Sequence, residues 1–141
     1  MNLYIDTRGA GPRPVTFTEA VVDGLAAGGG LYVPERIPEL TLEDIAALAQ
    51  LPYAQRAARI YRAFDTDLPA ETVDALMAQI YGSNFDDERI CPITSLTADT
   101  HVLELWHGPT SAFKDMALQC LPRFFSASAA QLREQGKLDH D

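Results

Sequence analysis

The sequence predicts an α/β fold that is mostly helical and has short strands. Apolar residues recur at helical spacing through much of residues 41–82, and capping signatures precede two helical segments. Short β-type segments bounded by glycine or proline occur near residue 4, near residue 32 and over residues 101–106. A length of 141 residues is enough for one domain or for a large part of a longer chain.

Charge and composition narrow the class of protein. The 20 acidic and 11 basic residues give a formal charge of -9, which repels nucleic acid and anionic lipid. Cys91 and Cys120 are too few for a disulfide framework and lack the spacing of a zinc site. The sequence shows neither a signal segment nor an apolar run of membrane-spanning length. We therefore expect a cytoplasmic protein with no nucleic-acid or membrane partner.

The first 40 residues predict two short strands around one helix. Thr16 and Glu19 have the spacing of a capping box, and the helix they begin should end near Gly24. Glycines at 28–30 lead into a second strand that Pro34 stops. Three glycines raise the question of phosphate binding, but phosphate-binding loops precede helices rather than strands.

Residues 41–82 are predicted to be helical throughout. Thr41 and Asp44 form the second capping signature, while Pro69 is suited to begin a helix and Gly82 to end one. Two apolar stripes at helical spacing predict core positions rather than a cofactor pocket. They consist of Ala57, Ile60, Tyr61 and Phe64, and of Val73, Leu76, Met77 and Ile80.

A domain boundary is predicted within residues 84–92, which are polar and rich in turn-forming residues. It separates a helical first part, residues 1–90, from a strand-turn-helix unit in residues 91–141. In this unit residues 101–106 alternate as a strand does, and a Gly-Pro pair at 108–109 breaks the strand before an apolar-periodic helix.

Lys114 is the candidate for chemistry in this unit. Thr110 or Ser111 would cap the helix, and Lys114 would then lie in its first turn. That position is just beyond the carboxyl end of a strand, where open α/β sheets bind ligands. The helix dipole there favours an unprotonated amine, which attacks aldehydes, and it also suits an anionic cofactor. The alternative is a surface lysine that lies along Phe113 and pairs with Asp115, and spacing alone does not decide between the two.

Residues 107–115, His-Gly-Pro-Thr-Ser-Ala-Phe-Lys-Asp, closely resemble the cofactor-lysine motif of threonine synthases. Residues 4–9, 17–20, 24–26 and 29–34 resemble the amino-terminal signature of the same family. The resemblance thus extends over essentially the whole chain. It implies the amino-terminal portion of a fold-type II enzyme that uses pyridoxal 5'-phosphate (PLP).

The resemblance also implies an activity and a set of site residues. Threonine synthases convert O-phospho-L-homoserine and water to L-threonine and phosphate. By this resemblance Lys114 would hold PLP covalently and, once released by the substrate amine, would shuttle protons. Asp115 and Thr110 would lie at the cofactor and His107 at the substrate, and no metal is implied.

Several features depart from the family pattern. Trp106 and Ser111 replace a phenylalanine and a bulky apolar residue, changes that leave the position of Lys114 intact. Pro122 lies within the predicted helix, which it would kink or end at a cost of about 3 kcal/mol. After residues 135–138 the family continues into a strand and a phosphate-binding loop. The resemblance therefore implies weak or no activity for this chain alone.

Three other hypotheses belong to different classes of protein. Ser111 and Lys114 fit the Ser-x-x-Lys pattern of serine acyltransferases, although the supporting motifs of that class are missing. A metal site from His101, Glu104 and His107 fails on geometry, because on a strand Glu104 faces away and the histidines lie ~20 Å apart. The strongest alternative is a truncated or split fragment that associates with a complementary chain, or with itself, through uncovered apolar surface.

Overall fold

The computed structural model describes residues 2–11 and 13–138. In chain order its elements are β1 (Tyr4–Asp6), α1 (Phe17–Asp23), β2 (Tyr32–Pro34), α2 (Leu42–Ala49), α3 (Tyr53–Ala63), α4 (Ala70–Ile80), β3 (Ile93–Ser95), β4 (His101–Leu103), α5 (Asp115–Leu118) and α6 (Leu121–Glu134). Helices predominate and each of these strands is short, as the sequence predicts.

The first sheet joins the two predicted strands near the start of the chain. β1 and β2 pair antiparallel, with Tyr4 opposite Pro34 and Asp6 opposite Tyr32. On its other side Tyr4 exchanges backbone hydrogen bonds of 2.8 and 2.9 Å with Val15. Pro34 has no N–H to contribute to a ladder, which is why it ends its strand.

Both predicted capping boxes are present. In α1 the Glu19 N–H donates to Thr16 Oγ1 at 3.3 Å, and the Thr16 N–H donates to Glu19 Oε2 at 2.9 Å. In α2 Asp44 and Thr41 form the same reciprocal pair at 3.1 and 2.9 Å. Gly24, just after α1, has a φ of 72°, in the positive-φ region that favours glycine. Both ends of α1 were therefore predictable.

Residues 41–82 form three helices instead of one continuous helical run. α3 and α4 each begin directly after a proline, Pro52 and Pro69, and the residue before a proline is biased away from helical conformation. Between α3 and α4 the chain turns at Asp65, which has a φ of 55°. The predicted start of α4 is confirmed, whereas helical structure throughout residues 41–82 was wrong for the segments between α2 and α3 and between α3 and α4.

The main core lies between α3, α4 and α6. Its buried side chains are Ala58, Leu68, Val73, Met77, Ile80, Cys120 and Phe124. The second predicted apolar stripe is thereby confirmed, whereas Ile60 of the first stripe is 42% exposed. Since this core unites residues on both sides of position 90, the division into residues 1–90 and 91–141 stays a prediction.

The helix predicted to contain Pro122 is interrupted, but the interruption comes before Pro122 and without the predicted cost. α5 ends at Leu118 and α6 begins at Leu121, so Pro122 lies in the first turn of α6, where its missing N–H costs no helical hydrogen bond. No helix in the described part of the chain combines the length and the apolar character that crossing a membrane requires.

The second sheet consists of β3 and β4, which also pair antiparallel. The strand predicted over residues 101–106 ends at Leu103, and the chain then leaves the sheet. Among the described strands none pair in parallel. The position of Lys114 therefore cannot be explained, within these residues, by the carboxyl edge of an open parallel sheet.

Candidate functional site

Lys114 lies between an irregular loop and α5. Its side chain is exposed and makes no hydrogen bond or ion pair with any residue that the structure describes. It is the N-cap residue of a helix of four residues, and does not lie in the first turn of a long helix as predicted. A helix this short has little macrodipole, so the field expected from the sequence is weak here. What the structure offers instead is an accessible amine without a competing partner in this region.

Asp115, the next residue, is 1% exposed and is bonded to Thr110. The Thr110 N–H donates to Asp115 Oδ2 at 2.8 Å, and the Thr110 hydroxyl lies 2.9 Å from each carboxylate oxygen. The structure thus does not pair Lys114 with Asp115. Nor does Thr110 or Ser111 cap α5, since no side chain makes a capping hydrogen bond there. Thr110 instead satisfies a buried carboxylate.

Gly108 allows the loop to close over Asp115. A β-carbon at position 108 would lie 2.5 Å from Asp115 Cβ and 2.6 Å from Asp115 Oδ2. The Ser111 N–H donates to the Gly108 carbonyl at 3.0 Å, and Ser111 has a φ of 55°, which is uncommon for a residue with a side chain. Close packing and this turn fix the backbone from which Lys114 projects.

His107 lies between two carboxylates. Its Nδ1 is 2.5 Å from Asp86 Oδ1, and its Nε2 is 2.7 Å from Glu104 Oε2. The side chains of His107 and Glu104 are 14% and 16% exposed, whereas that of Asp86 is 76% exposed. The hydrogen bonds to Glu104 and Asp86 favour the protonated ring and raise the pKa of His107 above its ordinary value.

Glu104 is also held through its second oxygen. The Thr94 hydroxyl of β3 donates to Glu104 Oε1 at 2.5 Å, and the Glu104 N–H donates to the Pro92 carbonyl at 2.9 Å. The hydrogen bond from Thr94, followed by that from His107, lowers the pKa of Glu104. The prediction that Glu104 faces away from His107 was wrong, because β4 ends at Leu103 and Glu104 no longer follows strand alternation.

Sequence reasoning missed the two carboxylates beside His107. Glu104 carried a signal, since it lies three residues before His107, but strand alternation puts such a pair on opposite faces. Asp86 is 21 residues away and carried no local signal. The Asp86 N–H also donates to the His107 carbonyl at 3.0 Å, so the turn after α4 holds His107 by both its side chain and its backbone.

The structure also bears on the two other chemical hypotheses. Ser111 and Lys114 share no hydrogen bond in the described part of the chain, so the Ser-x-x-Lys pair is not assembled as a nucleophile with its base. His101 Nδ1 lies 2.9 Å from Ser95 Oγ across the second sheet. Among the residues that the structure describes, no group of three or more His, Cys, Asp or Glu side chains is arranged to hold a metal ion.

Two of the three glycines at 28–30, Gly28 and Gly30, lie against the carboxylate of Asp6. A β-carbon at Gly30 would overlap Asp6 Oδ1, and one at Gly28 would lie 2.5 Å from Asp6 Oδ2. The same Oδ1 accepts a hydrogen bond from the Arg8 N–H at 2.9 Å. These glycines therefore make room for a negative group, which disfavours a phosphate at this position.

Comparison with known sequences gives a consistent result. Residues 3–81 match the family model described as threonine synthase N terminus. The chain is 41% identical over 133 residues to threonine synthase of Pseudomonas aeruginosa, which covers 94% of this chain and 28% of that protein. It is 37% identical over 113 residues to human threonine synthase-like 1, covering 78% of this chain and 15% of that protein.

Solved structures agree with the sequence comparisons. The chain matches PLP-bound threonine synthase from Brucella melitensis with a TM-score of 0.85 and 35% identity, over 96% of this chain and 28% of that one. It matches threonine synthase from yeast with a TM-score of 0.82 and 32% identity, over 97% and 28%. The chain thus spans little more than a quarter of these relatives. It belongs to the threonine synthase family and corresponds to the amino-terminal part of that fold.

Proposed function

We propose that this chain supplies the cofactor lysine, Lys114, of a threonine synthase that converts O-phospho-L-homoserine and water to L-threonine and phosphate. The observation that carries the proposal is that Lys114 is exposed and that its side chain has no partner among the described residues. The loop before it is held by the contacts of Thr110 and Gly108 with Asp115. Family membership supports it, as does the description of the Brucella melitensis relative as PLP-bound.

The residues present fit PLP at one point, the amine of Lys114. An accessible amine with no competing ion pair among the described residues is suited to condense with an aldehyde. When bound, PLP supplies an electron sink for carbanion chemistry at the substrate. After release from the cofactor, the Lys114 amine is the group we propose to move protons.

Asp115 and Thr110 are proposed to lie beside the cofactor. Their donors and acceptors already satisfy one another, so their contribution would be to fix the loop that carries Lys114. His107 is proposed on the substrate side. Its Nδ1 contact to Asp86 is the one that a substrate oxygen could replace, because the Asp86 side chain is largely exposed.

Catalysis is proposed to require more of the fold than the described residues provide. In the glycine segment that raised the question of phosphate binding, Gly28 and Gly30 lie against the Asp6 carboxylate, which does not suit the phosphate of PLP or of the substrate. We therefore propose that this chain by itself turns over no substrate, although it retains the reactive lysine. The cytoplasmic compartment expected from the sequence stays a prediction.

Trapping PLP on the chain tests the proposal directly. The sequence contains only two lysines, Lys114 and Lys137, so Lys137 serves as an internal control. PLP is added, the visible spectrum is recorded, borohydride reduces the adduct, and peptide mass spectrometry locates it. We expect the adduct on Lys114, its loss in Lys114→Ala and its retention in Lys137→Ala. Equal labelling of both lysines would indicate nonspecific reaction and contradict the proposal.

A second candidate function is an association module that docks with the remaining part of a threonine synthase fold. Exposed apolar side chains between residues 93 and 125 favour it, and Trp106 and Phe113, on either side of the loop before Lys114, are 48% and 64% exposed. Sedimentation of this chain, alone and with the remainder of the Pseudomonas aeruginosa relative, tests it. A stoichiometric complex supports docking, a homodimer indicates self-association, and a monomer in both samples argues against both.

A further inference from the structure

Hydrogen bonds connect the hairpin formed by β3 and β4 to His107. The Thr94 hydroxyl donates to one oxygen of Glu104, and the other oxygen faces His107 Nε2 at 2.7 Å. Little of either Glu104 or His107 is exposed. A carboxylate that is paired at both oxygens and shielded from water holds its partner in one orientation.

His107 begins the loop that leads to Lys114. Its carbonyl accepts a hydrogen bond from the Asp86 N–H at 3.0 Å, so the backbone is held as well as the ring. The following residue, Gly108, lies against Asp115, the neighbour of Lys114. Only Gly108 lies between His107 and the contact with Asp115, so a displacement of His107 would shift the backbone that carries Lys114.

We propose that Glu104 is a positioning residue for Lys114, which it places by holding the His107 ring against the hairpin. This inference rests on the proposed role of Lys114 as the cofactor lysine. Thr110 and Asp115 pair with each other inside the loop, whereas Glu104 joins the loop to another element of the fold. Glu104 acts through His107 and needs no contact of its own with cofactor or substrate.

The charged groups around His107 come from two segments. Glu104 follows β4, and the turn after α4 contributes Asp86, Asp87 and Arg89. Arg89 pairs with Asp87 at 2.7 Å and also acts on Glu104. The surrounding carboxylates favour the protonated ring, so the hold on the loop is strongest while His107 is charged. It weakens as pH rises through the raised pKa of His107.

Glu104→Gln tests the inference because it removes the charge and keeps the shape of the side chain. Glu88→Gln is the matched control, since Glu88 is exposed and lies in the turn that contains Asp86. In the intact 141-residue chain without PLP, hydrogen exchange gives the protection of amides 108–115 from about pH 5 to about pH 9, the range in which histidines titrate. The rate of borohydride-trapped PLP addition to Lys114 is measured over the same range.

We expect loop protection in wild type and Glu88→Gln to fall as pH rises through the raised pKa of His107. In Glu104→Gln the fall should occur at lower pH. Trapping on Lys114 should also be about tenfold slower where the wild-type ring is charged, since small misplacements of reacting groups cost up to ~100-fold in rate. If Glu104→Gln folds poorly, Thr94→Val weakens the same hold and should give a smaller shift in the same direction.

The two levels of the hypothesis fail differently. If wild type traps PLP on Lys114 while Glu104→Gln keeps the same loop protection and the same pH profile, the positioning role of Glu104 is overturned. If wild type traps no PLP on Lys114, the proposed function itself is contradicted. In that case, faster hydrogen exchange of residues 108–115 in Glu104→Gln would support only the role of Glu104 in holding the loop.

Discussion

Gly108 lies directly against the buried carboxylate of Asp115, with room for a hydrogen atom and none for a methyl group. We expect Gly108→Ala to destabilise the chain by about 1–3 kcal/mol, the usual cost of adding a methyl group to a closely packed site. Urea denaturation measures this loss. The same variant should trap PLP more slowly, because the loop must move away from Asp115.

Gly136→Ala is a suitable comparison for that variant. Gly136 has a φ of 67°, and a β-carbon there would meet nothing within 4 Å, so alanine strains the backbone without a clash. It should lower the free energy of unfolding and leave PLP trapping on Lys114 unchanged in the folded chain. Equal trapping by Gly108→Ala and wild type would show that the contact between Gly108 and Asp115 does not position the lysine.

Thr110 satisfies the carboxylate of Asp115 with its N–H and its hydroxyl. Thr110→Val keeps the shape but removes the hydroxyl from a buried charged acceptor, which we expect to cost about 1.5–3 kcal/mol of stability. Thr110→Ser retains the hydroxyl and should behave nearly as wild type does. Thermal or urea unfolding of the three proteins checks the order, and a valine variant as stable as the serine variant would contradict it.

Asp67 stabilises the amino terminus of α1. The N–H and hydroxyl of Thr18, which is fully buried, donate to its two carboxylate oxygens at 2.9 and 2.6 Å, and Gln131 of α6 donates to the Asp67 carbonyl at 3.0 Å. Asp67→Ala leaves the Thr18 N–H without its acceptor, while the Thr18 hydroxyl keeps only Thr16 Oγ1 at 3.1 Å, and the change should cost about 1–3 kcal/mol. Thr18→Val should cost less, because the backbone donor keeps its partner.

A double variant measures how much of the stabilisation by Asp67 depends on the Thr18 hydroxyl. If Asp67 acts mainly through the Thr18 hydroxyl, the effects of Asp67→Ala and Thr18→Val on the free energy of unfolding will not add. Additive effects would show that the carboxylate acts chiefly on the backbone at the start of the helix.

The His107 network makes stability depend on pH. The folded-state pKa of His107 is raised above its ordinary 6.5, so the ring binds its proton more tightly in the folded than in the unfolded chain. That contribution is fully present below the ordinary pKa and is lost as pH rises through the raised value. Urea unfolding at a series of pH values should therefore show a steeper decline with rising pH for wild type than for His107→Gln, over the interval between the ordinary pKa and the raised one.

His101→Gln provides the control for that measurement. His101 contacts Ser95 rather than a carboxylate, so its replacement removes a histidine and leaves the hydrogen bonds of the His107 network in place. If His107→Gln and wild type lose stability equally over the same pH interval, the network around His107 contributes nothing that depends on its protonation.

Local patterns predicted much of the fold because their causes are local. The boxes of Thr16 with Glu19 and of Thr41 with Asp44 form within one turn, and Pro69 and Gly24 act on their own backbone angles. The apolar stripe of α4, which repeats every 3.6 residues, could be predicted because such a stripe becomes core whichever element covers it. The start of α4 after Pro69 was predicted in this way, whereas the break before α3 at Pro52 was not.

The site was predicted less completely, because the lengths of α5 and β4 determine how its residues are arranged. The motif identified Lys114, Thr110, Asp115 and His107, yet its cap and dipole argument required a long helix, and α5 has four residues. Whether these residues act on cofactor and substrate stays a prediction. Their arrangement depends on where β4 ends, which periodicity over a few residues does not resolve.

The sequence by itself determined the family and the order of most helices and strands, and it predicted which residue would react with the cofactor, Lys114. Only the tertiary structure decided that Glu104 and Asp86 lie on either side of His107, that Thr110 satisfies Asp115, and that Gly28 and Gly30 lie against the Asp6 carboxylate. Caps, stripes and motifs depend on neighbours within a few positions along the chain. Hydrogen bonds such as that between Asp86 and His107 join residues from distant segments, and these meet only after the helices have packed around a common core.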